Sequence, residues 1–247
     1  MHLQAIGYNF MQRFAFRLCH YLNSFMKIYL AAFTVLIFIA LSSNAQKLSW
    51  EYGLQTGINL NSAYGTAINK DFNGPLLGLS IGGHIKMNSS PHFGIKVIVQ
   101  YDQNGYAYRG LTFMNIPENR LVKGDVITRV NYINLPVIAE YAFGNKIKFT
   151  AGAGMFFGIL LGKQLIIKIK DMPASTTKSK PDYIRSANFG ITACAGLQFP
   201  LGKKLKLNID FRDNYGFANI NKSTSSAYNT SIKTNALSLL FGLSLLM

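Results

Sequence analysis

Acidic residues and cysteine are the scarce components of this 247-residue chain. Ten Asp and Glu stand against 25 Lys and Arg, for a formal net charge of +15, yet charged residues of both signs make up only 14% of the sequence. Ordinary soluble domains carry roughly 25%. Two cysteines, Cys19 and Cys194, exclude a disulfide scaffold and a cysteine-rich zinc site. Past residue 45 there are two histidines, His84 and His92. No metal site is expected, because His, Cys and carboxylates do not cluster. No cofactor is expected either, since the Gly-x-x-x-x-Gly-Lys-Ser/Thr phosphate loop is missing. Lysines are dispersed rather than gathered on a basic helix, which argues against nucleic acid as a partner. Aromatics, by contrast, reach 13% and hydrophobic residues 49%, so a disordered polar chain is excluded.

The apolar run from Ile28 to Leu41 has 14 residues, short of the ~20 that a membrane-spanning helix needs. Met26-Lys27 precede it and Ser43-x-Ala45 follows, the order of a secretory signal peptide with cleavage after Ala45. Residues 1–25 then form either a long basic leader extension or a stretch upstream of a true start at Met26. Residues 1–45 hold Arg13, Arg17 and Lys27 and no acid, so the remaining chain, 46–247, stays strongly basic. It keeps Cys194 alone, which reads as a small buried hydrophobe.

From Gln46 onward the dominant signal has period two. Leu48, Trp50, Tyr52, Leu54, Thr56, Ile58 and Leu60 fall on one face; Ser49, Glu51, Gly53, Gln55, Gly57 and Asn59 fall on the other. Such alternation is a strand with one apolar and one polar face. It recurs at 77–87, 93–102, 126–143, 147–159, 187–199, 205–212 and 236–247, giving eight segments. The fourth is irregular: Val130 and Tyr132 have one parity, while Leu135, Val137, Ala139 and Tyr141 have the other. A bulge near Tyr132–Asn134 would reconcile them, with Pro136 at a disturbed position.

Connections alternate too. Long polar links at about 61–75, 104–125, 162–185 and 213–234 are separated by tight turns at 88–92, 144–145 and 200–202. The expected fold is all-β: an eight-stranded antiparallel up-and-down transmembrane β-barrel. Long loops would lie outside the cell and both termini in the periplasm. In lipid every backbone polar group needs an internal partner, so a spanning sheet must close on itself. Apolar faces would then meet hydrocarbon, with Trp50, Tyr52, Tyr101 and Tyr141 at the interfaces. A soluble sandwich or lipocalin-like barrel would turn the same pattern inside out, exposing a Gly- and Ser-rich face poor in charge.

Eight strands leave an interior just wide enough for side chains. Glu51, Lys86, Lys96, Glu140, Lys148, Asp210 and Arg212 all fall on the polar face, and are expected to form a paired lumen network. Lys163, Lys168, Lys170, Lys178 and Lys180 gather in one long link and form a candidate contact patch, with 165–170 alternating as a strand would.

Gly53-Leu54-Gln55-Thr56-Gly57-Ile58-Asn59, Tyr132-Ile133-Asn134-Leu135-Pro136-Val137 and Ala151-Gly152-Ala153-Gly154 carry a family likeness: by these motifs the chain resembles the PorT-like outer-membrane β-barrel family of Bacteroidetes. The likeness continues in Ala195 to Gly202 and in Asp210-Phe211-Arg212-Asp213-Asn214-Tyr215-Gly216. This resemblance implies residence in the outer membrane, insertion by the barrel assembly machinery and a tie to secretion-system components, and no established activity. Outer-membrane barrels commonly end in an aromatic residue; this chain ends Leu245-Leu246-Met247.

The leading expectation is a non-enzymatic outer-membrane protein, structural or accessory to envelope processes such as secretion. Lipopolysaccharide is the expected counter-charge for its basic surface. A lipid-modifying enzyme would have to draw on His84 or His92 with Ser80 or Ser90, although no spacing indicates a triad. A small-solute channel is the third possibility.

Overall fold

A computed structural model describes residues 48–66, 68, 73–115, 120–169, 175–179, 185–222 and 231–247. The expected leader falls outside the described residues. Eight long strands form the wall: β1 (Ser49–Tyr64), β3 (Leu76–Asn88), β4 (Phe93–Asn115), β5 (Arg120–Phe143), β6 (Lys148–Ile169), β8 (Ala187–Pro200), β9 (Leu205–Gly216) and β10 (Lys233–Leu246). Each pairs antiparallel with its neighbour in the order β1-β3-β4-β5-β6-β8-β9-β10, and β10 pairs back onto β1 through Glu51↔Leu246 to Tyr64↔Lys233. The ring is therefore closed, with no free edge along the wall. Two short strands that the alternation does not announce, β2 (Asn73–Gly74) and β7 (Ser175–Ser179), pair with β4 and β6 near one end.

The two ends of the barrel differ. At one, tight turns join β3 to β4, β5 to β6 and β8 to β9, and Met247 donates its backbone N–H to Trp50. At the other, the described residues of the links expected as loops at 104–125 and 162–185 are nearly all strand. β4 runs on to Asn115, β5 begins at Arg120, and β6 reaches Ile169 with β7 beside it. These hairpins project past the wall as a small sheet. Glycine supplies the irregularity this needs: Arg109 and Gly110 together face Asp125 across the β4–β5 ladder, Gly110 has φ 69°, and its N–H reaches the Asp125 carboxylate at 3.0 Å.

The apolar faces look outward. Leu79 is 62% exposed, Leu54 74% and Met155 71%, whereas Glu51 and Arg212 on the opposite parity are 1% exposed. Leu79, Val97, Phe149 and Leu239 lie apart on the outer wall, so an inward-facing apolar core is excluded. Aromatics ring the turn end, where Phe143 stacks on Phe149 and His92 on Tyr141. At the hairpin end Tyr64 stacks on Tyr215 with centroids 5.0 Å apart, and the Lys233 ammonium lies 5.9 Å over the Tyr64 ring.

The fourth segment corrects the sequence reading. β5 alternates without interruption, and Val130 and Tyr132 point inward with Thr128, Asn134 and Glu140. The extra residue lies on β6 instead, where Leu161 and Gly162 occupy the space opposite Asn131. Val130 and Tyr132 are apolar and inward because they form part of a cap over the hairpin end of the lumen, packed with Ile220, Leu160 and Ile232. Beside it Ala63, Ile68 and Tyr106 form a second patch. Pro136 does disturb the ladder: paired positions on β4 and β5 run to Val97↔Val137 and resume at Gln100↔Asn134, because proline has no N–H to offer.

A ring this small must curve tightly, and inward glycines permit it. A Cβ on Gly57, Gly78, Gly154 or Gly190 would run into the backbone oxygen of Leu239, Gln103, Val137 or Tyr215 respectively. Gly83 faces outward, and a Cβ there would meet nothing nearer than 3.5 Å. Gly154→Ala is expected to destabilise the barrel by about 1–3 kcal/mol through overpacking, while Gly83→Ala stays within about 0.5 kcal/mol. Urea unfolding of the two variants in lipid vesicles checks this; equal effects would refute the curvature argument.

Candidate functional site: a side-chain-filled lumen

The inward faces of all eight strands converge on one mainly polar interior, which also holds the buried apolar side chains of Ile98, Ile138, Phe156 and Leu240. Lys86 on β3 lies directly across the ladder from Lys96 on β4, and also from Glu51 on β1. Two adjacent ammonium groups repel each other unless an anion stands between them. Glu140 of β5 takes that place: it pairs with Lys86, lies 3.8 Å from Lys96, and accepts a hydrogen bond from Gln198 at 3.3 Å. Lys96 in turn reaches Asp210 at 2.8 Å, and Arg212 stands 3.8 Å from the same carboxylate.

The Lys96–Asp210 contact has a geometric meaning. Around the ring, β4 and β9 are four strands apart in either direction, so this bond crosses the lumen along a diameter. A second crossing lies beside it, where Arg212 Nη1 donates to Gln100 Oε1 at 2.8 Å. Gln55 Nε2 donates to the same oxygen at 2.9 Å, and Gln100 Nε2 donates to both Asp102 oxygens. Ser80 and Asn134 complete the donors to Asp102. Opposite walls are thus tied together by side chains of ordinary length. Apart from Lys206, at 22%, every charged side chain in these contacts is at most 7% exposed, so solvent screening of the pairs is weak.

Six of the seven residues expected in the lumen network lie in this connected interior: Glu51, Lys86, Lys96, Glu140, Asp210 and Arg212. Lys148 differs. It sits half-buried at the turn-end rim and donates to the Pro91 carbonyl at 3.3 Å, because its strand begins there. Two charged members escaped the sequence-based selection. Lys206 pairs with Glu51 at 2.7 Å, and Asp102 anchors the Gln100 cluster. Both occupy the polar parity of their segments, so alternation locates them; only the stagger of the strands reveals their partners.

The expected lysine patch divides. Lys163 turns inward opposite Val130 and is 7% exposed, because the bulge at Leu161–Gly162 sets the parity beyond it. Lys168 lies on the outer face and is exposed. The Lys178 side chain, Lys170 and Lys180 are outside the described residues.

The nucleophile chemistry considered for His84 and His92 is not assembled in this geometry. His84 Nε2 lies 3.1 Å from Ser244 Oγ, not near Ser80, and its Nδ1 is buried with no hydrogen-bond partner. Among the described residues no third group hydrogen-bonds the ring to orient it, as a Ser-His pair requires. Ser80 donates to Asp102, while Ser90 caps the backbone of His92 and Phe93, and His92 Nδ1 meets the Ala142 carbonyl. Among the described residues no group of three or more His, Cys, Asp or Glu side chains could hold a metal ion.

A closed antiparallel ring, apolar outside and polar within, girdled by aromatics at both ends, defines an integral β-barrel membrane protein. The chain belongs to the outer membrane protein beta-barrel domain family, whose model matches residues 44–222. Solved structures similar to it include the Yersinia pestis attachment invasion locus protein Ail, at 10% identity and a TM-score of 0.36 over 80% of this chain and 99% of that one. OprG from Pseudomonas aeruginosa has 11% identity and a TM-score of 0.40, covering 81% and 95%. A major outer membrane protein from Thermus thermophilus has 13% identity and a TM-score of 0.41, covering 82% and 100%. No curated protein matches the chain at a significant level.

Proposed function

We propose that this is a non-enzymatic, non-conducting barrel of the PorT-like group of Bacteroidetes, structural or accessory to an envelope process such as protein secretion. In this reading residues 1–45 are a leader removed after Ala45, the long hairpins are extracellular, and both ends of the mature chain are periplasmic. Lipopolysaccharide surrounds the hairpin end, and the barrel assembly machinery inserts the chain. The observation that carries the reading is the lumen crossing: Lys96–Asp210 and Arg212–Gln100 occupy the space a solute would need. The described residues, meanwhile, present no assembled nucleophile.

The protein is expected to stay with membranes through a carbonate wash, to migrate heat-modifiably on gels, and to leave a planar lipid bilayer electrically silent. Steady single-channel conductance would overturn the non-conducting reading. Release by carbonate would overturn integral membership. A lipid-modifying role has its own test: replacing His84 and His92 with Ala should leave the lipid A mass spectrum unchanged.

A further inference from the structure

Just past the apolar band, the outer wall of the long hairpins is predominantly basic, with Arg129, Lys123 and Lys168 against Asp125. Arg129 on β5 shares parity with Leu135, Val137 and Tyr141, which are exposed, while Thr128, Val130 and Tyr132 between them are buried inward. It therefore faces out, above Ile133 and Leu135. Across the ladders Arg129 stands beside Gly105 of β4 and Gln164 of β6, and Asn131 stands beside Gln103. Gln103 Oε1 accepts from Arg129 Nη1 at 3.0 Å, which holds the guanidinium in the plane of the wall. Arg129 Nε and Asn131 Oδ1 are both buried without a hydrogen-bond partner. Further from the band, Lys168 and Lys123 are exposed on the same face, opposite Asp125 and Thr112. Among the described residues Asp125 is the one acid on this stretch of wall, and it is engaged by the Gly110 N–H.

We infer that this strip binds the phosphorylated headgroup of an outer-leaflet glycolipid, with Arg129 as the phosphate ligand and Lys168 and Lys123 reaching anionic groups further out. A guanidinium suits a phosphate because its planar fork presents two parallel N–H groups. Its level favours a membrane lipid over a soluble anion: one polar row, Asn131 with Gln103, lies below it, and the next, Ile133 with Tyr101 and Ile159, is apolar, so a bound phosphate would sit close above the acyl chains. Gln103, Asn131 and Gln164 around it supply neutral donors suited to phosphate or sugar oxygens. This rests on the extracellular placement of the hairpins proposed above.

The test uses the full-length protein extracted into detergent and exchanged with lipid A carrying its phosphates, with dephosphorylated lipid A, with phosphatidylglycerol, or with inorganic phosphate, the bound species being read by native mass spectrometry. Phosphorylated lipid A is expected to be retained, and Arg129→Gln to retain it about tenfold less. Lys168→Gln, on an exposed hairpin that cannot compromise the wall, should give a smaller loss. Heat-modifiable migration of each variant shows that it is folded. Equal retention by wild type and both folded variants would overturn the assignment, as would equal retention of dephosphorylated lipid A. Stronger capture of phosphatidylglycerol or of inorganic phosphate would overturn it as well. Protease cleavage of the hairpins on intact cells reports their orientation separately, so failure of the placement and failure of the site are distinguishable.

Discussion

Replacing Glu140 with Ala is expected to lower the unfolding free energy of the barrel by about 3–5 kcal/mol, the cost of leaving a buried charge without its partner. Among the described residues Glu140 is the carboxylate that pairs with the Lys86 ammonium, with both side chains at most 4% exposed. Its removal also brings Lys86 and Lys96, ladder neighbours, into direct repulsion, and deprives Gln198 of an acceptor. Lys96 keeps Asp210 at 2.8 Å, so the damage centres on Lys86. The double variant Lys86→Met with Glu140→Leu should recover most of the loss, since an apolar pair of similar volume replaces a buried ion pair at little cost. Denaturant unfolding in lipid vesicles measures both. A single-variant loss below about 1 kcal/mol would mean that water reaches Lys86 and that the lumen is open there, at odds with a paired, closed interior.

The second large effect is on the outside. Leu243 is 50% exposed on β10, flanked across the ladders by Leu54 and Leu207, near the middle of the apolar band. Leu243→Arg should cost about 2–4 kcal/mol, the range for a cation at the bilayer midplane of a β-barrel. A half-exposed leucine on a water-facing surface would tolerate the same change within about 0.5 kcal/mol. Folding yield into vesicles and the unfolding midpoint both report it. A neutral outcome would mean that the outward face meets water, and the hydrocarbon assignment would fall.

Much of this architecture is legible in the chain because side-chain direction in a strand has period two. Leu48 to Leu60 against Ser49 to Asn59 fixes which atoms share a face, and eight such runs with alternately long and short links leave few topologies. Composition then decides which face is outside: Gly, Ser, Asn and Gln with sparse charge make a poor solvated surface and a good narrow interior. What misled was local chemistry. Val130 and Tyr132 are apolar and inward, a combination that reads as a break in register unless the cap formed with Ile220, a residue far along the chain, is known. Lys163 looks like a loop lysine until the extra residue at Leu161 is placed on β6.

The candidate site divides the same way. Parity alone puts Glu51, Lys86, Lys96, Glu140, Asp210 and Arg212 on the lumen side. Parity cannot say that Lys96 meets Asp210, 114 residues away, or that Lys206 rather than Lys148 completes Glu51. Those pairings depend on the stagger accumulated around a closed ring, a property of all eight ladders together. By itself, then, the amino-acid order determined the strands, their faces and the solvent each face suits, because these follow from a repeat of two residues. The tertiary structure decided who pairs with whom across the interior, because closure sets the heights at which distant strands confront one another.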